Sequence, residues 1–122
     1  MAKTILVVDD STSLRLVVKM TLEGAGYNVI EAGNGQQALA LLDGRTIHLV
    51  LSDLNMPVMN GLSLLAQIKQ HPVYRSTPVI MLTTETSDHL QRQGQQHGSC
   101  AWIIKPFEPP QLLDAIARLI LS

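Results

Sequence analysis

A chain of 122 residues fits one compact domain with a true core and leaves little for a second. Its formal net charge of -1, without a Lys/Arg cluster, excludes a general electrostatic pull toward nucleic acid, so the expected partner is a protein. The lone Cys100 excludes an internal disulfide, no Cys and His stand at zinc-ligand spacing, and the short apolar run after Lys3 is neither a signal peptide nor a membrane span; a soluble, cytoplasmic chain is expected.

The first predicted strand is Thr4 to Val8, ending at Asp9-Asp10. Leu14, Val17, Val18 and Leu22 then recur with helical period, with Ser11 or Thr12 as the cap and Gly24 and Gly26 as the stop. A second strand over Asn28 to Glu31 leads to a helix capped by Asn34, and a third over Ile47 to Ser52 leads through Asp53 to a helix carrying Leu62, Leu65 and Ile68. Pro78 to Thr83 is the fourth strand, followed by a Gln-rich helix with Ser87 as its cap. Gly94 in that helix costs roughly 1 kcal/mol relative to Ala, so close packing or local mobility is expected there. Ala101 to Ile104 is the fifth strand, and Pro109 suits the first turn of a last helix with Leu112, Leu113, Ile116, Leu119 and Ile120 inward. Five β/α units with strands as apolar as Ile5 to Val8 and Val79 to Leu82 predict an α/β fold, a parallel sheet covered by helices on both faces.

In an open parallel sheet, functional loops lie beyond the carboxyl ends of the strands. Those ends carry Asp9 and Asp10, Asp53, Thr83 and, just after the fifth strand, Lys105. If the first and third strands are neighbours, three carboxylates converge, and they repel one another unless a cation compensates them. Oxygen ligands select a hard ion such as Mg²⁺, and Lys105 adds positive charge. A carboxylate can attack phosphorus while a metal and a lysine neutralise the transferring group, and the Thr83 hydroxyl can donate to one of its oxygens. These residues suffice to form and hydrolyse an acyl phosphate on one of the three acids. Composition does not say which; position favours Asp53, which opens the run Asp53-Leu54-Asn55-Met56-Pro57-Val58-Met59-Asn60-Gly61, where Pro57 stiffens the chain and Gly61 permits a turn into the third helix.

The set Asp9-Asp10, Asp53-x-Asn55-Met56-Pro57-x-Met59-x-Gly61, Thr83 and Lys105-Pro106-Phe107 resembles the signature of bacterial response-regulator receiver domains, over the whole chain. The resemblance implies one receiver domain over residues 1–122 with the flavodoxin-like (CheY-like) doubly wound sheet, strand order 2-1-3-4-5, and five helices. It implies Asp53 as phosphoacceptor. Asp10 and Asp53 would hold Mg²⁺ by side chain, Asn55 by its main-chain carbonyl and Asp9 mainly through water. Thr83 and Lys105 would bind the phosphoryl group, Trp102 occupies the switch-aromatic position, and a cis Lys105-Pro106 bond would aim the ammonium inward. Asn55 and Glu85, each two residues beyond a pocket residue, are expected to flank the hydrolytic water and tune the phosphoryl lifetime.

Such a chain would be a signalling switch that catalyses its own phosphorylation and dephosphorylation. It would take the group from a sensor histidine kinase and bind a downstream protein through the fourth helix, fifth strand and fifth helix. A monomer is expected. Met81-Leu82-Thr83-Thr84-Glu85 and Ala101 to Pro109 most resemble the stand-alone chemotaxis type, although Thr84 stands where many relatives have Ala, Leu54 where the enterobacterial chemotaxis type has Trp, and Glu108 where Asn or Thr is commoner. A phosphorelay shuttle or a receiver cut from a longer regulator are the alternatives. With nothing after Leu121-Ser122, output through protein contacts is expected.

Taken singly, these residues have ordinary readings: an Asp pair in a solvated turn, a strand-end Thr, a surface Lys, and Trp102 as a half-buried packing residue. Their combination raises the functional reading. His48, His71, His89 and His97 show no convergent spacing and read as surface or packing residues. A Mg²⁺-dependent phosphatase of the haloacid-dehalogenase type would need Asp-x-Asp after the first strand, whereas Asp9-Asp10-Ser11 stands there. A flavodoxin would need a phosphate-binding first loop, which Asp9 and Asp10 would repel.

Overall fold

A computed structural model of the chain describes residues 2–56, 58–96, 98 and 101–121. Along them run β1 (Thr4–Val8), α1 (Thr12–Gly24), β2 (Asn28–Ala32), α2 (Gly35–Leu41), β3 (Leu49–Ser52), α3 (Gly61–Gln70), β4 (Val79–Thr83), α4 (Asp88–Gln96), β5 (Ala101–Ile104) and α5 (Pro109–Leu121). The strands are parallel in the order 2-1-3-4-5. Chain direction across the sheet therefore reverses between β1 and β3. The loops leaving those two strands diverge there and open a crevice.

Alternation along each strand divides the core in two. Ile5, Val7, Leu49, Leu51, Ile80, Leu82 and Ile103 meet Val18 and Leu22 of α1 and Leu112 and Ile116 of α5. On the other face, Leu6, Val8, Val50, Val79 and Met81 meet Ala38 of α2 and Leu64, Leu65 and Ile68 of α3. Val17, expected with the inward residues of α1, lies 51% exposed. The buried stripe follows Val18 and Leu22, four apart, and a residue next to Val18 is turned about 100° away from it. Gly94 is buried, so close packing accounts for it.

The local signals act as expected at several ends. Ser11 caps α1, accepting the Leu14 N–H at 3.3 Å, Asn34 caps α2 and Ser87 accepts from Leu90 before α4. Behind α1, Gly26 at φ 92° allows Tyr27 and Gly26 to donate to the Leu22 and Glu23 carbonyls. Strand three starts at Leu49 rather than Ile47, because His48 already pairs with Thr4 through its ring Nδ1 as well as its N–H. Strand two runs one residue further, to Ala32, and strand four starts one later, at Val79.

The turn into α3 differs from expectation. The left-handed residue is Val58, at φ 72°, and Asn60 caps the helix by accepting the Ser63 N–H. A β-branched residue in that region costs about 1–2 kcal/mol; the loop around it is closed by the Gly61 N–H donating to the Leu54 carbonyl at 2.8 Å. Gly61 is needed for a different reason: a Cβ on it would fall on the Asp53 carbonyl oxygen and 2.9 Å from Leu54 Cα. Both obstacles are backbone, so no rotamer relieves them. Gly61→Ala is expected to lower stability by about 1–3 kcal/mol. A urea midpoint equal to that of the parent chain would contradict this placement.

Candidate functional site

The acids stand where β1 and β3 end. Asp9, Asp10 and Asp53 each offer a carboxylate oxygen, and these oxygens lie within 4.8 Å of one another. Asp9 is 4% exposed and Asp53 8%, whereas Asp10 is open to solvent. Lys105, from the loop after β5, places Nζ 2.9 Å from Asp9 Oδ2 and 3.3 Å from Asp53 Oδ2. The Lys105-Pro106 peptide is cis.

Each buried acid is fixed by more than this lysine. Asp53 Oδ1 accepts the N–H of Leu54 at 2.7 Å and of Asn55 at 3.4 Å, which leaves Oδ2 facing Lys105. Asp9 Oδ1 accepts the Ser11 N–H at 2.9 Å. Its N–H donates to the Ala32 carbonyl, and its own carbonyl receives Arg15 Nη1 at 2.6 Å. No hydrogen bond reaches the Asp10 carboxylate among the described residues. Three clustered carboxylates, two of them paired with one ammonium, leave an excess of two negative charges in a cluster of oxygen donors. That donor set and that excess suit a hard divalent cation.

Thr83, fully buried at the end of β4, accepts the Glu85 N–H at Oγ1, 3.2 Å away. The Glu85 carboxylate turns toward α4 and accepts the Ser87 N–H. The Glu85 carbonyl receives the Trp102 indole N–H at 3.0 Å. Trp102 pairs with Met81 in the β4–β5 register, as Ile104 does with Thr83, so its ring lies on the Thr83 side of the sheet and packs on the core there. Thr83 and Trp102 thus hold the N–H and the C=O of one loop residue. Asn55 is exposed, with its N–H toward Asp53.

Asp9, Asp10, Asp53 and Lys105 are therefore brought together, while Thr83, Glu85 and Trp102 form a linked set on the neighbouring strands. The histidines stand apart: His48 pairs with Thr4, His71 accepts the Val73 N–H against Tyr74, and His89 is exposed. Pro57, His97 and Cys100 lie outside the described residues. Sequence reasoning missed Arg15, Asn60 and the amides of Leu54 and Asn55. Arg15 left a trace in the sequence as a cation early in a helix whose first turn holds no acid, and Asn60 as an Asn directly before a helical run.

A doubly wound sheet of this order with acids at its switch point defines a class, and comparison with known families identifies the same one. The chain belongs to the response regulator receiver domain family, whose model matches residues 5–117. Its place is accordingly in two-component signalling, where receiver domains act as switches between histidine kinases and downstream targets.

It is 38% identical over 117 residues to the phosphate regulon transcriptional regulatory protein PhoB of Pseudomonas aeruginosa, covering 96% of this chain and 50% of that protein. The chain spans about half the length of the curated relatives it matches. Chemotaxis protein CheY4 of Vibrio cholerae superposes with a TM-score of 0.93 at 39% identity, covering 98% of this chain and 99% of that one. The receiver domain of a sensor histidine kinase of Pseudomonas aeruginosa, solved with a magnesium ion coordinated in its active-site cleft, matches with a TM-score of 0.92 at 27% identity over 100% of both chains. No helix among the described residues is long and apolar enough to cross a membrane.

Proposed function

We propose that this chain accepts a phosphoryl group on Asp53 in a Mg²⁺-dependent reaction and signals the change through protein contacts. The observation that carries this reading is the clustering of the Asp9, Asp10 and Asp53 carboxylates, with Lys105 bridging Asp9 and Asp53. Asp10 and Asp53 would hold the ion by their side chains, Asn55 by its main-chain carbonyl and Asp9 through water. A bound Mg²⁺ supplies charge neutralisation on the oxygens of the transferring group.

The chain's own residues carry the remaining steps. The Asp53 carboxylate forms the new P–O bond as the bond from phosphorus to the donor's leaving group breaks. Lys105 stabilises the charge on the equatorial oxygens, and the Thr83 hydroxyl donates to one of them. Asn55 and Glu85 border the path of the hydrolytic water and tune the lifetime of the acyl phosphate.

A sensor histidine kinase is the proposed donor. A downstream protein recognises the face of α4, β5 and α5, and the chain acts in the cytoplasm as a monomer, with residues 1–122 as one receiver unit. A chemotaxis role is supported by the end-to-end match to CheY4. The half-length match to a transcriptional regulator favours a second reading, a receiver working within a longer regulator.

Output follows from the linked loop. A Thr83 hydroxyl drawn toward a phosphoryl oxygen gives up its bond from the Glu85 N–H, and the Glu85 carbonyl that holds Trp102 moves with it. A partner that prefers the new surface shifts the population by its differential affinity. Trp102 is the only Trp, so tryptophan emission comes from this one site. Beryllofluoride with Mg²⁺ is expected to alter the emission and reduce quenching by acrylamide, and Thr83→Ala to suppress both while Asp53 still accepts phosphate. Constant emission and quenching in fully phosphorylated parent protein would make Trp102 a packing residue only.

A further inference from the structure

The acids differ in what fixes them. Asp9 and Asp53 are each held at the N–H, the carbonyl and both carboxylate oxygens. The Asp10 carboxylate is open to solvent and receives no hydrogen bond from the described residues, so its direction is set by the backbone on either side. The peptide after it is held where the Ser11 N–H meets Asp9 Oδ1. Among the described residues, the peptide before it is held at the Asp9 carbonyl, by Arg15 Nη1 at 2.6 Å. A peptide unit is planar, so fixing that carbonyl also fixes the nitrogen from which Asp10 grows.

Arg15 is itself oriented. Nε lies 3.1 Å from Glu31 Oε1 on β2, and Lys19 approaches the other Glu31 oxygen at 3.4 Å. The Arg15 side chain is 17% exposed. As the fourth residue of α1 it opposes the helix dipole, so helix stability does not account for it. Its planar fork lets one nitrogen take Glu31 while another reaches Asp9, which a lysine ammonium on its flexible stem does not reproduce.

We infer that Arg15 is a positioning residue for Asp10: it clamps the Asp9–Asp10 peptide, with Glu31 orienting the clamp, so that the Asp10 carboxylate is aimed at the ion before the ion arrives. The inference rests on the Mg²⁺ reading above. Its sign separates it from simple electrostatics. Removing a positive charge beside three carboxylates would by charge alone tighten cation binding, whereas losing the clamp weakens it.

Calorimetric titration with Mg²⁺ tests this on the parent chain, Arg15→Met, Arg15→Lys and Glu31→Gln, alongside urea unfolding without the metal. Arg15→Met is expected to raise the Mg²⁺ dissociation constant about tenfold, the effect of losing a group that orients a ligand. Arg15→Lys, which keeps the charge, should fall between it and the parent; Glu31→Gln should weaken binding too, but since it also removes a negative charge, the Arg15 variants are the ones that separate the clamp from electrostatics. A brace between α1 and β2 alone would lower the metal-free urea midpoint and leave the dissociation constant unchanged. Should Arg15→Met not fold, Arg15→Lys decides the matter. Unchanged or tighter Mg²⁺ binding in the folded variants overturns the inference while the Mg²⁺ reading stands. Absence of binding to the parent chain overturns both.

Discussion

Asp53→Asn is expected to abolish acid-labile labelling by acetyl phosphate or a phosphohistidine kinase. The amide keeps an acceptor oxygen for the Leu54 N–H, which the structure places 2.7 Å from Oδ1, so the loop should retain its shape. What is lost is the anionic oxygen that faces Lys105 at 3.3 Å and would form the new bond to phosphorus. Asp9 carries the same kind of contacts, to Lys105 and the Ser11 N–H, and Asp10 stands exposed, so the variant tests the choice of Asp53 that its place before the Asn55-to-Gly61 loop favours. Label persisting in the variant at the parent level would mean that another acid is the acceptor.

The second large effect belongs to Lys105. With Lys105→Met, the rate of phosphorylation by acetyl phosphate at saturating Mg²⁺ should fall about 10²- to 10³-fold, the usual consequence of removing one charge-stabilising donor from a transition state. The folded protein should also suffer, since Asp9 and Asp53 lose their shared cation. Breaking a fully buried pair costs roughly 3–5 kcal/mol. Here the three side chains are 5–11% exposed at the mouth of a crevice, so a loss on the order of 2 kcal/mol is expected at neutral pH. Added Mg²⁺ should restore part of it, because the ion replaces the missing charge. A parent-like rate together with an unchanged urea midpoint would reduce Lys105 to a solvated surface charge.

Much of this molecule was legible before folding was considered, because the relevant signals are local. Each of the five apolar runs became a strand, and an acid, a hydroxyl or a lysine was already visible at the ends where a parallel sheet gathers its chemistry. Ser11, Asn34 and Ser87 act within three residues of themselves, so their capping roles could be read from adjacency. The order 2-1-3-4-5 was different: periodicity implied parallel strands, and only the family resemblance supplied their arrangement.

What the sequence by itself determined is thus which residues lie at strand ends and which chemistry they share. Tertiary structure decided how they are held. Arg15 reaches the Asp9 carbonyl, Lys105 returns from 96 residues away to Asp9, and Trp102 takes the carbonyl of Glu85 across the β4–β5 pair. The turn before α3 rests on Val58, and Gly61 is required by the nearness of the Asp53 carbonyl. None of these follows from residue type, because a backbone carbonyl looks the same at every position in a sequence. Its value as an acceptor appears only when packing excludes water from it and brings a particular donor within reach.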